Sequence, residues 1–130
     1  MSSELRTVLI ADDEEALRAL VRVTLDTGRF AILEASNGLD ALALARHHKP
    51  DLVFLDWAMP GLSGLEVCRR LRADDLTKHL TVVMLTARAQ EFDRAAAMEV
   101  GVDAYITKPF SPLRLLDAVR DKLGADSLVF

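Results

Sequence analysis

Leu52-Val53-Phe54-Leu55, followed at once by Asp56-Trp57-Ala58-Met59-Pro60-Gly61, is the stretch on which the fold turns. Four consecutive apolar residues closed by a turn sequence read as a short strand. No polar residue alternates within it, so both of its faces are buried. Such strands belong to parallel sheets covered by helices. Outward along the chain the pattern repeats. Thr7–Ala11 and Thr81–Thr86 are similar runs, and Ala31–Ala35 and Ala104–Thr107 are weaker ones.

The segments between these runs carry helical period. Leu17, Leu20, Val21 and Thr24 fall on one helical stripe, as do Leu65, Cys68 and Leu71, and then Leu116, Val119 and Leu123. Ser63 with Glu66 has the spacing of a capping box. Ser111 before Pro112 is an N-cap followed by proline at the first helical position. Gly28 and Gly101 stand where helices should stop. Strand and helix thus alternate five times. This predicts an α/β fold, a flavodoxin-like doubly wound sandwich around a parallel five-stranded sheet of order 2-1-3-4-5. Right-handed crossovers place every strand's C-terminal end on one edge, with a crevice where the strand order reverses.

The composition fits that architecture. With 130 residues and 51% hydrophobic content, the chain is expected to be one domain over residues 1–130, with its core from about 7 to 123. The single cysteine, Cys68, has no partner for an internal disulfide, and the N-terminus has no apolar signal stretch. No run approaches the roughly 20 apolar residues of a membrane span. The expectation is a cytoplasmic protein with no membrane association. A net charge of −4 argues against a broad basic surface, so no direct nucleic-acid contact is expected.

The strand ends carry the chemistry. The first run ends in Asp12-Asp13, the third in Asp56, the fourth in Thr86-Ala87 and the fifth in Lys108-Pro109. Three carboxylates sharing one crevice resist ionising together, so a cation must compensate. Magnesium, with manganese as a substitute, suits hard oxygen donors and keeps room for a phosphate. Asp13 and Asp56 are the expected direct ligands. Asp12 reaches the ion directly or through water, and the backbone carbonyl of Ala58 completes the set. A carboxylate can also act as a nucleophile toward phosphorus. Lys108 then balances charge, and the Thr86 hydroxyl can donate to a phosphoryl oxygen.

Four motifs stand in order at strand ends: Asp12-Asp13, Asp56–Gly61, Leu85-Thr86-Ala87 and Tyr105-Ile106-Thr107-Lys108-Pro109-Phe110. With them the chain resembles the receiver domain of two-component response regulators, including the stand-alone chemotaxis-regulator type, over about Thr7 to Leu123. The resemblance implies that Asp56 accepts a phosphoryl group from a sensor histidine kinase or a phosphotransfer protein, with magnesium required. It implies a cis peptide before Pro109, and a switch in which Thr86 moves toward the phosphoryl group and Tyr105 fills the space. The face of the fourth helix, fifth strand and fifth helix would then act on a downstream protein or output domain, or pair with a second copy. The transcription-factor branch of that family pairs through charges on this face. Arg114 stands where that branch has an acid, and Ala104 and Ala118 where it has charges, so that particular homodimer is not expected. Receivers that lose their phosphoryl group quickly often carry an acid or amide two residues after the acceptor or two after the switch threonine. Here those residues are Ala58 and Arg88, so a long-lived phosphoryl form is expected.

Other readings compete residue by residue. Asp12-Asp13 alone could be a helix-capping pair, drawn to the positive helix end. Lys108 alone would be a solvated lysine, and Cys68 a small apolar core residue. Trp57 reads as a partly buried neighbour of the acids. His47, His48 and His79 lack ligand spacing. The alanine-rich Arg94–Met98 is a helix exposed on one side. Among whole-chain alternatives, a receiver-like scaffold that is never phosphorylated would carry the same acid, hydroxyl and lysine set without using it. An aspartyl-phosphate phosphatase needs a second Asp two residues after its nucleophile, where Ala58 stands. A flavin or dinucleotide carrier needs glycines or hydroxyls in the first strand–helix turn, where Asp12-Asp13-Glu14-Glu15 would repel phosphates. The chain is read as a signalling domain and not an enzyme.

Overall fold

The computed structural model describes residues 5–124. The N-terminal Met-Ser-Ser-Glu and the tail beyond Gly124 lie outside it. The elements are β1 (Arg6–Ala11), α1 (Glu15–Thr24), β2 (Phe30–Ala35), α2 (Gly38–His48), β3 (Leu52–Asp56), α3 (Gly64–Ala73), β4 (Val82–Thr86), α4 (Glu91–Glu99), β5 (Ala104–Thr107) and α5 (Pro112–Leu123). The five strands form one parallel sheet of order β2-β1-β3-β4-β5, the order expected from the sequence.

Period-2 alternation divides each strand between two cores. Leu9, Val53, Leu55, Val82 and Met84 pack with Val67, Cys68 and Leu71 of α3 and with Ala97 of α4. Val8, Ile10, Leu52, Phe54, Val83 and Leu85 pack on the other side with Val21 of α1 and with Leu115 and Val119 of α5. β3 and β4 are buried at every residue, the physical reason they carry no alternation in sequence.

Helix starts follow local chemistry. The Ser63 Oγ accepts from the Glu66 amide at 3.2 Å, and the Ser111 Oγ accepts from the Arg114 amide at 3.3 Å. The reciprocal half of the capping box is not formed. The Glu66 carboxylate binds Arg69 and Arg70 instead, because two guanidiniums one turn ahead are better partners than a single amide. Asn37, which the sequence reading passed over, caps α2 by accepting from the Asp40 amide at 2.9 Å. Gly101 has φ of 101° just past α4, whereas Gly28, at 83°, lies in the turn before β2 and not at the end of α1.

Gly64 matters for the loop that leaves β3. Its amide donates to the Trp57 carbonyl at 2.7 Å, drawing the start of α3 against the strand tip. A Cβ at this position would lie 2.3 Å from the Asp56 carbonyl oxygen and 2.9 Å from the Trp57 Cα. Backbone atoms cannot yield as a flexible side chain can. Gly64→Ala should therefore cost about 1–3 kcal/mol in chemical denaturation, the usual range for overpacking.

Candidate functional site

The crevice is assembled by strand register. Ala11 pairs with Leu55, and the next residues, Asp12 and Asp56, leave adjacent strands side by side. The Asp12 amide donates to the Ala35 carbonyl at 3.0 Å and the Trp57 amide to the Leu85 carbonyl at 3.1 Å, so the strand ladders hold both tips. Thr86 pairs with Thr107, and the Lys108 amide donates to the Thr86 carbonyl at 2.7 Å. That bond carries Lys108 past the end of β5 and over the acids. The Lys108–Pro109 peptide is cis.

Asp12, Asp13, Asp56 and Lys108 are brought together. One carboxylate oxygen from each of the three acids lies within 4.8 Å of the other two. The Lys108 Nζ lies 3.0 Å from Asp12 Oδ2, 3.3 Å from Asp56 Oδ1 and 3.6 Å from Glu14 Oε1. Asp12 and Asp56 are buried, while Asp13 opens to solvent. Asp12 Oδ1 also accepts from the Glu14 amide at 2.8 Å. Asp12 thus organises the turn before α1 without being the N-cap residue, which is Glu14.

The electrostatics follow from this crowding. Burial, and then the charge of Asp12, push the Asp56 carboxyl up to about 6, with Lys108 and the Ala58 amide opposing. Asp12 is likewise raised, chiefly by burial. Lys108 is raised above the ordinary lysine value because its hydrogen bonds and attraction to Asp12 and Asp56 outweigh desolvation. Two buried carboxylates and one ammonium leave negative charge in place before Asp13 is added. A hard divalent cation fits this donor set, since it prefers oxygen and commonly takes one or two carboxylates plus waters or phosphate oxygens. The Ala58 amide faces the Asp56 carboxylate.

Thr86 and Tyr105 are buried beside the crevice, and both bond to the backbone of Arg88. The Thr86 Oγ accepts from the Arg88 amide at 3.0 Å, and the Tyr105 hydroxyl donates to the Arg88 carbonyl at 2.6 Å. The Tyr105 ring is already inside, 6% exposed, with the Arg94 guanidinium 4.7 Å from its centroid. Trp57 is more buried than the sequence suggests, at 8% exposure, and the Arg88 guanidinium lies 4.7 Å from its ring centroid. Asp93, buried in the first turn of α4, reaches Arg88 at 3.4 Å. Sequence reading noted Arg88 only for its place in the chain. Its stacking partner and Asp93 lie on other elements and gave no local signal. The histidines remain apart from the crevice: His47 and His48 end α2 and contact each other edge to face.

Comparison with known proteins points the same way. The family model for the response regulator receiver domain matches residues 8–120. The phosphate regulon transcriptional regulatory protein PhoB of Pseudomonas aeruginosa is 46% identical over 111 residues, 85% of this chain and 48% of its own length. The polar-differentiation response regulator DivK of Brucella anthropi is 37% identical over 119 residues, 92% of this chain and 97% of its own. The chemotaxis protein CheY4 of Vibrio cholerae superposes with a TM-score of 0.85 at 28% identity, covering 92% of this chain and 99% of that one. The chain spans about half the length of the PhoB relatives it matches.

Proposed function

Because the chain belongs to the response regulator receiver domain family, we propose that Asp56 is its phosphoacceptor, taking a phosphoryl group from a histidine kinase or phosphotransfer protein in a magnesium-dependent reaction. The observation that carries this reading is the meeting of Asp12, Asp13, Asp56 and Lys108, from three strand tips, in one crevice. A lone acid pair capping a helix would not need Asp56 and a lysine within hydrogen-bond range.

In the proposed step an oxygen of the Asp56 carboxylate attacks phosphorus. The bond from phosphorus to the donor imidazole nitrogen breaks, and the electron pair leaves with the imidazole. Asp12, Asp13, Asp56 and the Ala58 carbonyl are the residues that would hold magnesium; when bound, the ion supplies positive charge to the phosphoryl oxygens. Lys108 holds the acceptor carboxylate and offers its ammonium to the group as it arrives. Thr86 then exchanges its bond from the Arg88 amide for one to a phosphoryl oxygen. Phosphorylation adds about two negative charges and three strong acceptors, which is what makes that exchange favourable. The Arg88 backbone is also held, through its carbonyl, by the Tyr105 hydroxyl, so motion of Thr86 reaches β5 through Arg88. The output face of α4, β5 and α5 includes an open groove bordered by Tyr105, Arg114, Asp117 and Arg120. Its mixed charges suit a protein partner or output domain and give no basis for direct nucleic-acid contact. Magnesium, manganese as its substitute, and a cytoplasmic setting belong to the same proposal. Among the described residues no helix is long and apolar enough to cross a membrane.

Trp57 is the sole tryptophan and adjoins Asp56. Its emission should change on adding magnesium, and again on adding beryllofluoride as a phosphoryl mimic. No response to either would leave the inert scaffold as the better reading. The phosphoryl form should also be long-lived, because neither the Ala58 methyl nor the Arg88 guanidinium, stacked on Trp57, can orient an attacking water. Radiolabel decay from the purified domain should take minutes or longer; a half-life of seconds would contradict the argument.

A further inference from the structure

Arg18, on α1, is nearly buried, with its side chain 15% exposed, and it is not among the cluster residues. Its guanidinium makes three bonds. Nη1 donates to the main-chain carbonyl of Asp12 at 2.8 Å, Nε to Glu34 Oε1 at 3.1 Å, and Nη2 to Glu15 Oε1 at 2.6 Å. Arg22 closes a ring behind it, reaching Glu34 Oε2 at 2.5 Å and Glu15 Oε2 at 3.5 Å. Glu34 lies on β2 opposite Ile10 of β1, so the ring is tied to the sheet.

The consequence falls on Asp12 and Asp13. The Asp12 amide is held by the Ala35 carbonyl, and its own carbonyl is held by Arg18. The first bond fixes the peptide entering Asp12, and the bond from Arg18 fixes the Asp12–Asp13 peptide plane where the chain leaves the ladder, against the repulsion of three acids. The direction of the Asp13 carboxylate depends on that plane. We propose that Arg18 is a positioning residue: by holding the Asp12 carbonyl to the Glu15–Arg22–Glu34 ring, it keeps the Asp13 carboxylate within reach of a cation shared with Asp12 and Asp56. The inference rests on the cation-binding reading of the crevice. Arg is suited to the task because its planar fork holds donors in fixed directions toward a carbonyl and two carboxylates, whereas a lysine ammonium is a compact charge on a flexible stem.

Charge and positioning predict opposite signs. Arg18→Met removes a positive charge beside a cation site. If Arg18 acted only through its charge, magnesium would bind more tightly. If it positions the peptide, affinity falls, by about tenfold on the scale of other groups that orient metal ligands. The experiment is a magnesium titration of the full chain, followed by Trp57 fluorescence and by calorimetry, with thermal melting of the metal-free protein as the check on folding. Arg18→Met should weaken magnesium about tenfold, with Arg18→Lys between it and the parent. Equal or tighter binding by Arg18→Met overturns the inference. Should that variant fail to fold, Arg18→Lys and Glu34→Gln decide: weaker binding by both supports the inference, and unchanged binding by either overturns it. A parent protein without any magnesium response would overturn both this inference and the reading beneath it. A parent that binds normally beside an unaffected Arg18→Met overturns this inference alone.

Discussion

Asp56→Asn should abolish phosphoryl acceptance from any donor, kinase or small molecule. The amide is nearly isosteric with the carboxylate but is a far weaker nucleophile toward phosphorus, and it removes one charged oxygen donor from the proposed cation site. Neither neighbouring acid is placed as Asp56 is. Asp12 is fully buried, bonded to Lys108 and to the Glu14 amide, and Asp13 is exposed at the edge of the cluster. Labelling from a phosphodonor followed by acid–base stability of the adduct measures this directly. Label retained on Asp56→Asn at anything near the parental level would remove Asp56 from the role proposed for it.

The same substitution should make the metal-free protein more stable. Burial and the neighbouring Asp12 raise the Asp56 carboxyl from 3.8 to about 6 in the folded chain. Between these values the folded state holds a proton that the unfolded state has released. Stability from this group is therefore full below pH 3.8 and is lost as pH rises through about 6. Asp12, raised for the same chief reason, acts in the same direction. At neutral pH the ionised Asp56 costs about 3 kcal/mol relative to its neutral form, an order-of-magnitude figure from that displacement. Asp56→Asn carries no charge there, so at pH 7 without magnesium it should gain up to about that amount in urea denaturation. The gain should shrink toward pH 4, where the parent's carboxyl is protonated. Magnesium should stabilise the parent more than the variant, since ligand bound only by the folded state adds stability by mass action. An Asp56→Asn protein no more stable than the parent at pH 7 would show that Lys108 already compensates the buried charge. Destabilised functional sites of this kind are common where chemistry demands charges that packing does not favour.

Much of this was legible in the chain because it depends on local pattern. The strand runs, the helical stripes and the Ser63 and Ser111 caps are each set by neighbours a few residues away. The parallel sheet followed from strands without polar alternation, and β3 and β4 are indeed buried throughout and paired in parallel. The acids, hydroxyl and lysine could be named because each closes a strand or lies within two residues of its end, and strand ends share one edge. Less legible were contacts between elements far apart in sequence. Glu66 has capping spacing, yet its carboxylate goes to Arg69 and Arg70. The Tyr105 hydroxyl bond to the Arg88 carbonyl, across elements, has no counterpart in the pattern of either segment.

The sequence by itself determined the sheet, its order, and the set of groups delivered to the carboxyl edge, since strand polarity and side-chain period are properties of short segments. Only the tertiary structure decided how those groups share charge. Strand register brings Lys108 to within 3.0 Å of Asp12 and 3.3 Å of Asp56, and burial then sets how readily each acid ionises. It also decided that Arg18 reaches back to the Asp12 carbonyl, because a guanidinium's choice among several acceptors depends on which of them the packed helices bring within its reach.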